Sequence, residues 1–104
     1  MSIKVAIEEL ATAVAERGPA YLLTTVPDGR PHVMHLQFAV DGGELRAEGL
    51  GRTATANIGA QPAVTLLWSP DGDGYSLIVD GEATADGAGG VVVTALDAVL
   101  HRPA

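Results

Sequence analysis

The chain lacks cysteine altogether. That removes a disulfide framework, a thiolate metal site and a cysteine nucleophile in one step. Aromatic residues are almost as scarce: Tyr21, Phe38, Trp68 and Tyr75 make up 4% of the sequence. A core must therefore come from Ala, Val, Leu and Ile, which bury less area per residue than rings do. Basic residues number 6 against 13 acidic ones, lysine occurs only at Lys4, and no Lys/Arg cluster exists. A nucleic acid or an anionic membrane needs a basic patch, so neither is expected as a partner. No apolar run approaches the ~20 residues of a membrane span, and acids interrupt the apolar residues from Glu8 onward, unlike a signal peptide. A cytosolic domain is the expectation.

What the chain does have is 47% hydrophobic residues in 104 positions, enough for one domain and one core. So few rings in so small a chain leave little apolar area in reserve, and a dimer that buries more is expected.

The spacing of Ile3, Ile7, Leu10 and Val14 predicts a leading helix, capped by Ser2 and ended by Arg17 and Gly18-Pro19. After Pro19 the period falls to two. Ala20 to Val26 reads as a strand, Pro27-Asp28-Gly29-Arg30 as a hairpin turn, and Pro31 to Val40 as the returning strand. Its alternation puts Met34, Leu36, Phe38 and Val40 on one face and Val33, His35, Gln37 and Ala39 on the other. Glu44 to Gly49 reads as a third strand and Arg52 to Gln61 as a short helix with Thr53 as N-cap. Ala63 to Trp68 is nearly continuous in apolar residues and reads as a strand buried on both faces. Tyr75 to Ala85 reads as a fifth strand with a bulge or a bend at Gly81. Val91 to Leu100 opens as a strand, while Ala95 to Leu100 is compatible with helix as well. About six strands joined by hairpins, with a leading helix and a short crossover helix, predict a mainly β fold, a small antiparallel barrel.

The most informative stretch is Gly49-Leu50-Gly51-Arg52-Thr53-Ala54-Thr55, where a strand ends, two glycines free the backbone and a helix begins. Free N–H groups and the positive dipole end of a helix suit a phosphate, and Arg52 adds a forked, charge-assisted contact. The same residues also read as a tight turn with an N-cap. In a chain of net charge −7 an anion is repelled at long range, so such a site has to rely on local donors. His32 and His35, three apart in a strand, point to opposite faces and are poorly placed to chelate one ion. Asp71-Gly72-Asp73-Gly74 lacks the remaining acids of a calcium loop. None of Ser2, Ser69 or Ser76 lies in a nucleophile elbow. With no protein-borne catalytic set, any catalysis is expected to be carried by a cofactor.

The order TTVPDGRPHVMHLQF, GLGRTATANIGAQPAVTLLW, SLIVDGEATAD resembles the flavin-binding split-barrel family whose namesake is pyridoxamine 5'-phosphate oxidase, and especially its short members. The resemblance runs from about Pro19 to Asp86. It implies a six-stranded antiparallel split β-barrel that forms a homodimer, with FMN held at the subunit interface. In such proteins the second strand runs along the flavin, which maps to Met34, His35, Leu36 and Gln37. The phosphate sits where the third strand enters the short helix, which maps to Arg52, Thr53 and Thr55. The partner subunit contributes from the fifth strand, where Ser76 is the polar candidate. The deazaflavin coenzyme F-420 is the alternative cofactor; a non-catalytic cofactor carrier and haem binding through His35 or His101 are further readings. Two departures stand out. Ala54 and Thr55 occupy the region where the family often has a second basic residue. The chain also ends at His101-Arg102-Pro103-Ala104, without the segment that helps the namesake enzyme bind its pyridoxal product, which points away from pyridoxamine phosphate oxidation itself.

Overall fold

Pro and Gly at the joints and β-branched or apolar residues between them cut the chain into short strands. The computed structural model describes residues 1–27 and 29–103. In chain order it contains β1 (Ser2–Lys4), a single 3-10 turn (Ile7–Glu9), α1 (Leu10–Val14), β2 (Ala20–Thr24), β3 (His32–Leu36), β4 (Ala39–Asp41), β5 (Glu44–Glu48), α2 (Arg52–Ala60), β6 (Ala63–Trp68), β7 (Ser76–Ala85) and β8 (Gly90–His101). The strands form one antiparallel sheet in the order β3-β2-β6-β7-β8-β5-β4, with β1 added to β8.

This order dictates the shape. The sheet begins with β3 and ends with β4, yet only Gln37 and Phe38 separate those two strands in the chain. The sheet therefore curls until its two edges meet, and the seam between them is joined covalently rather than by a ladder. That is a barrel split along one line. Its interior is filled as the composition requires, by Leu22, Leu45, Leu66, Leu77, Val79 and Val93, all fully buried. Trp68 is buried beside Phe38, edge to face at 6.4 Å between ring centres. Its indole N–H finds the Gly18 carbonyl at 3.2 Å, so the one large ring brings no unpaired donor into the core.

Several expectations are met in place. Met34, Leu36, Phe38 and Val40 face inward, and Val33, His35, Gln37 and Ala39 outward. The register of β7 on β8 shifts between Asp80 and Gly81, at the glycine where the sequence predicts a bulge or bend, with the extra residue on β8. Arg17 bonds the Ala13 carbonyl at the end of α1 and reaches the Tyr75 carbonyl at 2.9 Å. The β2–β3 pair flanks the predicted turn, with Thr24 opposite His32; Asp28 of that turn lies outside the described residues.

Others are corrected. The predicted leading helix is helical from Ile7 to Val14, as a 3-10 turn running into α1, but not over its first residues. Ser2–Lys4 pairs with β8 instead, Ser2 opposite His101 and Lys4 opposite Val99. β8 outruns β5, which covers only Gly90 to Thr94, and the open edge beyond recruits the N-terminal residues. Ser2 is thus no helix cap; its hydroxyl meets His101 Nδ1 at 3.1 Å. The returning strand breaks at Gln37 and Phe38, because the chain turns the barrel seam there. With β1 this raises the strand total from six to eight. Ala95 to Leu100 is strand, held by β7 along its length. β6 is closed on one face only: Val64, Leu66 and Trp68 are buried, whereas Thr65 and Leu67 are half-buried.

Candidate functional site

β5 ends at Glu48, and the chain turns at Gly49, whose φ of 93° favours glycine. Leu50 N–H donates to the Gly89 carbonyl at 2.9 Å, tying this corner to the β7–β8 loop. Gly51, extended at φ −78° and ψ 172°, is the N-cap of α2, without a side-chain cap bond. Thr53, predicted as the cap, lies inside the first turn, because the glycine already supplies the extended conformation a cap needs. The first N–H groups of α2 consequently have no partner within the helix, and no acid sits in that turn. Arg52 and Thr53 are exposed there. The Thr55 hydroxyl donates back to the Gly51 carbonyl at 2.9 Å, which closes the turn.

β3 runs against this corner. A Cβ on Gly51 would lie 3.6 Å from Met34 Cε, and one on Gly49 would lie 3.6 Å from Leu36 Cδ2. Met34, Leu36, Arg52, Thr53 and Thr55 are thus gathered where β3 meets the start of α2. His35 is not among them. It points outward and stacks on Tyr21, with 4.4 Å between ring centres. Ser76 lies at the far end of β7, opposite His101, whereas α2 packs near the Ala85 end. Nine residue steps of strand are roughly 30 Å, so Ser76 does not reach this corner within one chain.

Gln37, in the seam, lines a cleft of about 850 Å³ together with Phe38, Arg46, Glu48, Asp86 and Val92. That volume lies in the range of small-molecule sites. Arg46, Glu48 and Asp86 were not singled out in the sequence. The alternation of β5 does place Arg46 and Glu48 on one side, but nothing in it says that this side faces a cleft. The signal for Asp86 was local: in Asp-Gly-Ala-Gly-Gly its Oδ1 accepts from Ala88 N–H at 2.7 Å and Gly90 N–H at 2.9 Å. The bonds from Ala88 and then Gly90 hold its carboxyl below the ordinary aspartate value, against the opposing effect of burial. Gly90 permits the arrangement, because a Cβ there would strike the Asp86 carboxylate and press on Glu48 Oε2 at 3.1 Å.

Of the predicted residues only Gln37 lines the cleft; Met34, Leu36, Arg52, Thr53 and Thr55 gather at the β3–α2 corner. The free helix N–H donors and Arg52 at that corner suit a phosphate, and Phe38, Ala47, Val91 and Val92 give the cleft an apolar part, which together fit a flavin-type group. The two carboxylates nearby reinforce the need for local donors.

No protein-family model matches this chain. Among solved structures the fold is similar to a Clostridium acetobutylicum protein related to general stress protein 26, described as of the pyridoxinephosphate oxidase family, with TM-score 0.72 and 13% identity over 94% of this chain and 91% of that one. It is similar to an F-420 reductase, with TM-score 0.62 and 24% identity over 86% of this chain and 91% of that one. It is also similar to an FAD-binding protein from Mycobacterium smegmatis, with TM-score 0.66 and 19% identity over 98% and 100%. The fold is therefore the pyridoxamine 5'-phosphate oxidase-like split barrel. An uncharacterised Mycobacterium bovis protein, Mb0449c, is 40% identical over 97% of this chain and 82% of its own length. The chain belongs to one family with that mycobacterial protein.

Proposed function

We propose that this protein is a homodimeric, cytoplasmic FMN-binding split barrel acting as an oxidoreductase on a small molecule. The observation that carries this reading is the corner where β3 meets α2, with its open N–H groups and Arg52; the cleft that Gln37 and Phe38 line is large enough for a flavin ring. The FAD-binding and F-420 reductase names among the structural neighbours support a flavin-type cofactor on this fold.

In this reading the N–H groups of the first turn of α2 and the Arg52 guanidinium hold the phosphate, and Thr53 adds its hydroxyl. Thr55 contributes indirectly, by keeping that turn closed. Met34 and Leu36 back the corner with apolar side chains, and the Gln37 amide offers both a donor and an acceptor to the cleft it lines. His35, on the outer face, and Ser76, at the far end of β7, serve only a ligand that lies between two subunits. A bound flavin supplies hydride transfer, and the protein supplies orientation and exclusion of water. Coenzyme F-420 is the second reading, favoured by the reductase neighbour.

The visible spectrum of the purified protein, followed by titration with FMN, riboflavin and F-420, tests this reading. A charge-assisted contact is worth about 1.5–3 kcal/mol. Arg52→Ala is therefore expected to weaken FMN roughly 10- to 100-fold and to leave riboflavin, which has no phosphate, nearly unchanged. Equal weakening of both ligands removes Arg52 from the phosphate site. Failure of all three ligands to bind removes the reading. A bound cofactor that no donor or acceptor pair turns over leaves a carrier instead of an enzyme.

A further inference from the structure

β8 carries one residue more than β7 at the bulge. Gly81 pairs with Ala95 and Asp80 with Asp97, so Leu96 has no opposite number. The extra residue is thrown onto the outer face of the barrel, where Leu96 is 63% exposed. Bulges re-aim side chains in this way. A lone exposed leucine requires no explanation. This one stands beside a groove of about 480 Å³ on the same face, lined by Leu23, Pro31, Thr65, Asp80, Glu82 and Leu96 itself. The face continues across the sheet through Tyr21, 37% exposed, and Val33, 53% exposed. A knob and a hole on one patch are what a two-fold contact between identical chains requires. Five strands, β3, β2, β6, β7 and β8, span the face. At about 4.8 Å per strand and about 20 Å along it, that is roughly 500 Å², more than half of the ~800 Å² each partner gives to a standard interface.

The same patch is acidic. Asp80 and Asp97 are directly opposite each other across β7 and β8, and Glu82 follows on the same face. Lys4 is bonded to Asp97. Thr65 donates to Asp80 at 2.6 Å and brings no charge. Two chains of net charge −7 that meet on this face repel each other.

We propose that Leu96 is the knob of a two-fold contact in which each copy seats it in its partner's groove, and that charge opposes this contact, so that salt tightens it. The proposal rests on the homodimer reading above and adds the face, the anchor and the sign of the salt dependence.

Sedimentation of the full chain over a concentration series, at about 50 and about 500 mM salt, tests it. The wild type is expected to dimerise several-fold more tightly at the higher salt. Leu96→Asp and Val33→Asp, both at exposed positions, are each expected to weaken the dimer at least ~10-fold with unchanged circular dichroism, and Leu96→Met to retain it. Asp80→Asn with Glu82→Gln is expected to flatten the salt dependence. A dimer that ignores Leu96→Asp and Val33→Asp, or that loosens with salt, overturns the proposal and leaves the homodimer standing. A wild type that stays monomeric at every concentration overturns both.

Discussion

Gly81→Ala and Gly59→Ala add the same single methyl group, yet they are expected to move stability in opposite directions. A Cβ on Gly81 would lie 2.5 Å from the Thr94 carbonyl oxygen and 2.8 Å from Val93 Cγ1. Those atoms cannot easily retreat, because β5 holds β8 from its other side, with Glu44 opposite Thr94 and Leu45 opposite Val93. Overpacking of this kind typically costs about 1–3 kcal/mol. A Cβ on Gly59, in the last turn of α2, meets nothing within 4 Å. There the change removes conformational freedom from the unfolded chain and is expected to stabilise by ~0.5–1 kcal/mol. For 104 residues the unfolding entropy is about 0.2 kcal/mol/K. Gly81→Ala should therefore lower Tm by roughly 5–15 °C, and Gly59→Ala should raise it by roughly 2–5 °C. Thermal and urea unfolding at one fixed protein concentration measure both, since any self-association makes the midpoint concentration-dependent. A Gly81→Ala variant as stable as the wild type would show that the bulge relaxes freely and would refute the argument from the β5–β8–β7 clamp.

Two further outcomes follow from buried and looped polar groups. Asn57 Nδ2 donates to the fully buried Thr24 hydroxyl at 3.1 Å, which pins α2 to β2. Asn57→Ala is expected to cost about 1–3 kcal/mol, and the double variant with Thr24→Val less than the sum of the two singles, as denaturation midpoints of the cycle would show. Asp86 has a carboxyl below its ordinary value because Ala88 and Gly90 N–H groups bond it. A depressed carboxyl contributes stability that is present above the unfolded value, about 3.9, and is lost as pH falls through the lower folded value. Amide exchange of the Gly87–Gly90 loop should therefore accelerate, relative to its intrinsic rate, below about pH 4. Asp86→Asn, which cannot titrate, should abolish that step, and a step that survives in this variant would assign it to another group.

Most of the β architecture was legible because it is local. Alternation sorted Met34, Leu36 and Phe38 from Val33, His35 and Gln37, and those faces hold in the barrel. Gly81 marked the irregularity, since a glycine inside a β-forming run signals a bulge, a bend or a close approach, although the extra residue is on β8. The leading helix held from Ile7 to Val14, but its first residues did not, for a physical reason: the open end of β8 rewarded the extended form of Ser2–Lys4. The candidate site was half legible. The Gly-x-Gly-Arg corner announces itself in sequence, and Arg52, Thr53 and Thr55 lie there. The cleft that Gln37 shares with Arg46, Glu48 and Asp86 could not be read, because its walls come from segments up to about fifty residues apart.

By itself, the sequence determined the absence of cysteine, the excess of acidic over basic residues, the aliphatic core, and the turns and alternation that make strands of most of this chain. Each depends on residue type or on neighbours within a few positions. The tertiary structure alone decided that the sheet closes between β3 and β4, that Ser2–Lys4 joins β8, that Ser76 and Arg52 lie at opposite ends, and that Leu96 protrudes beside a groove. Those outcomes depend on which strand edges remain unpaired once the others have met. That competition is settled by hydrogen bonds and burial across the whole sheet, and no local window of residues contains it.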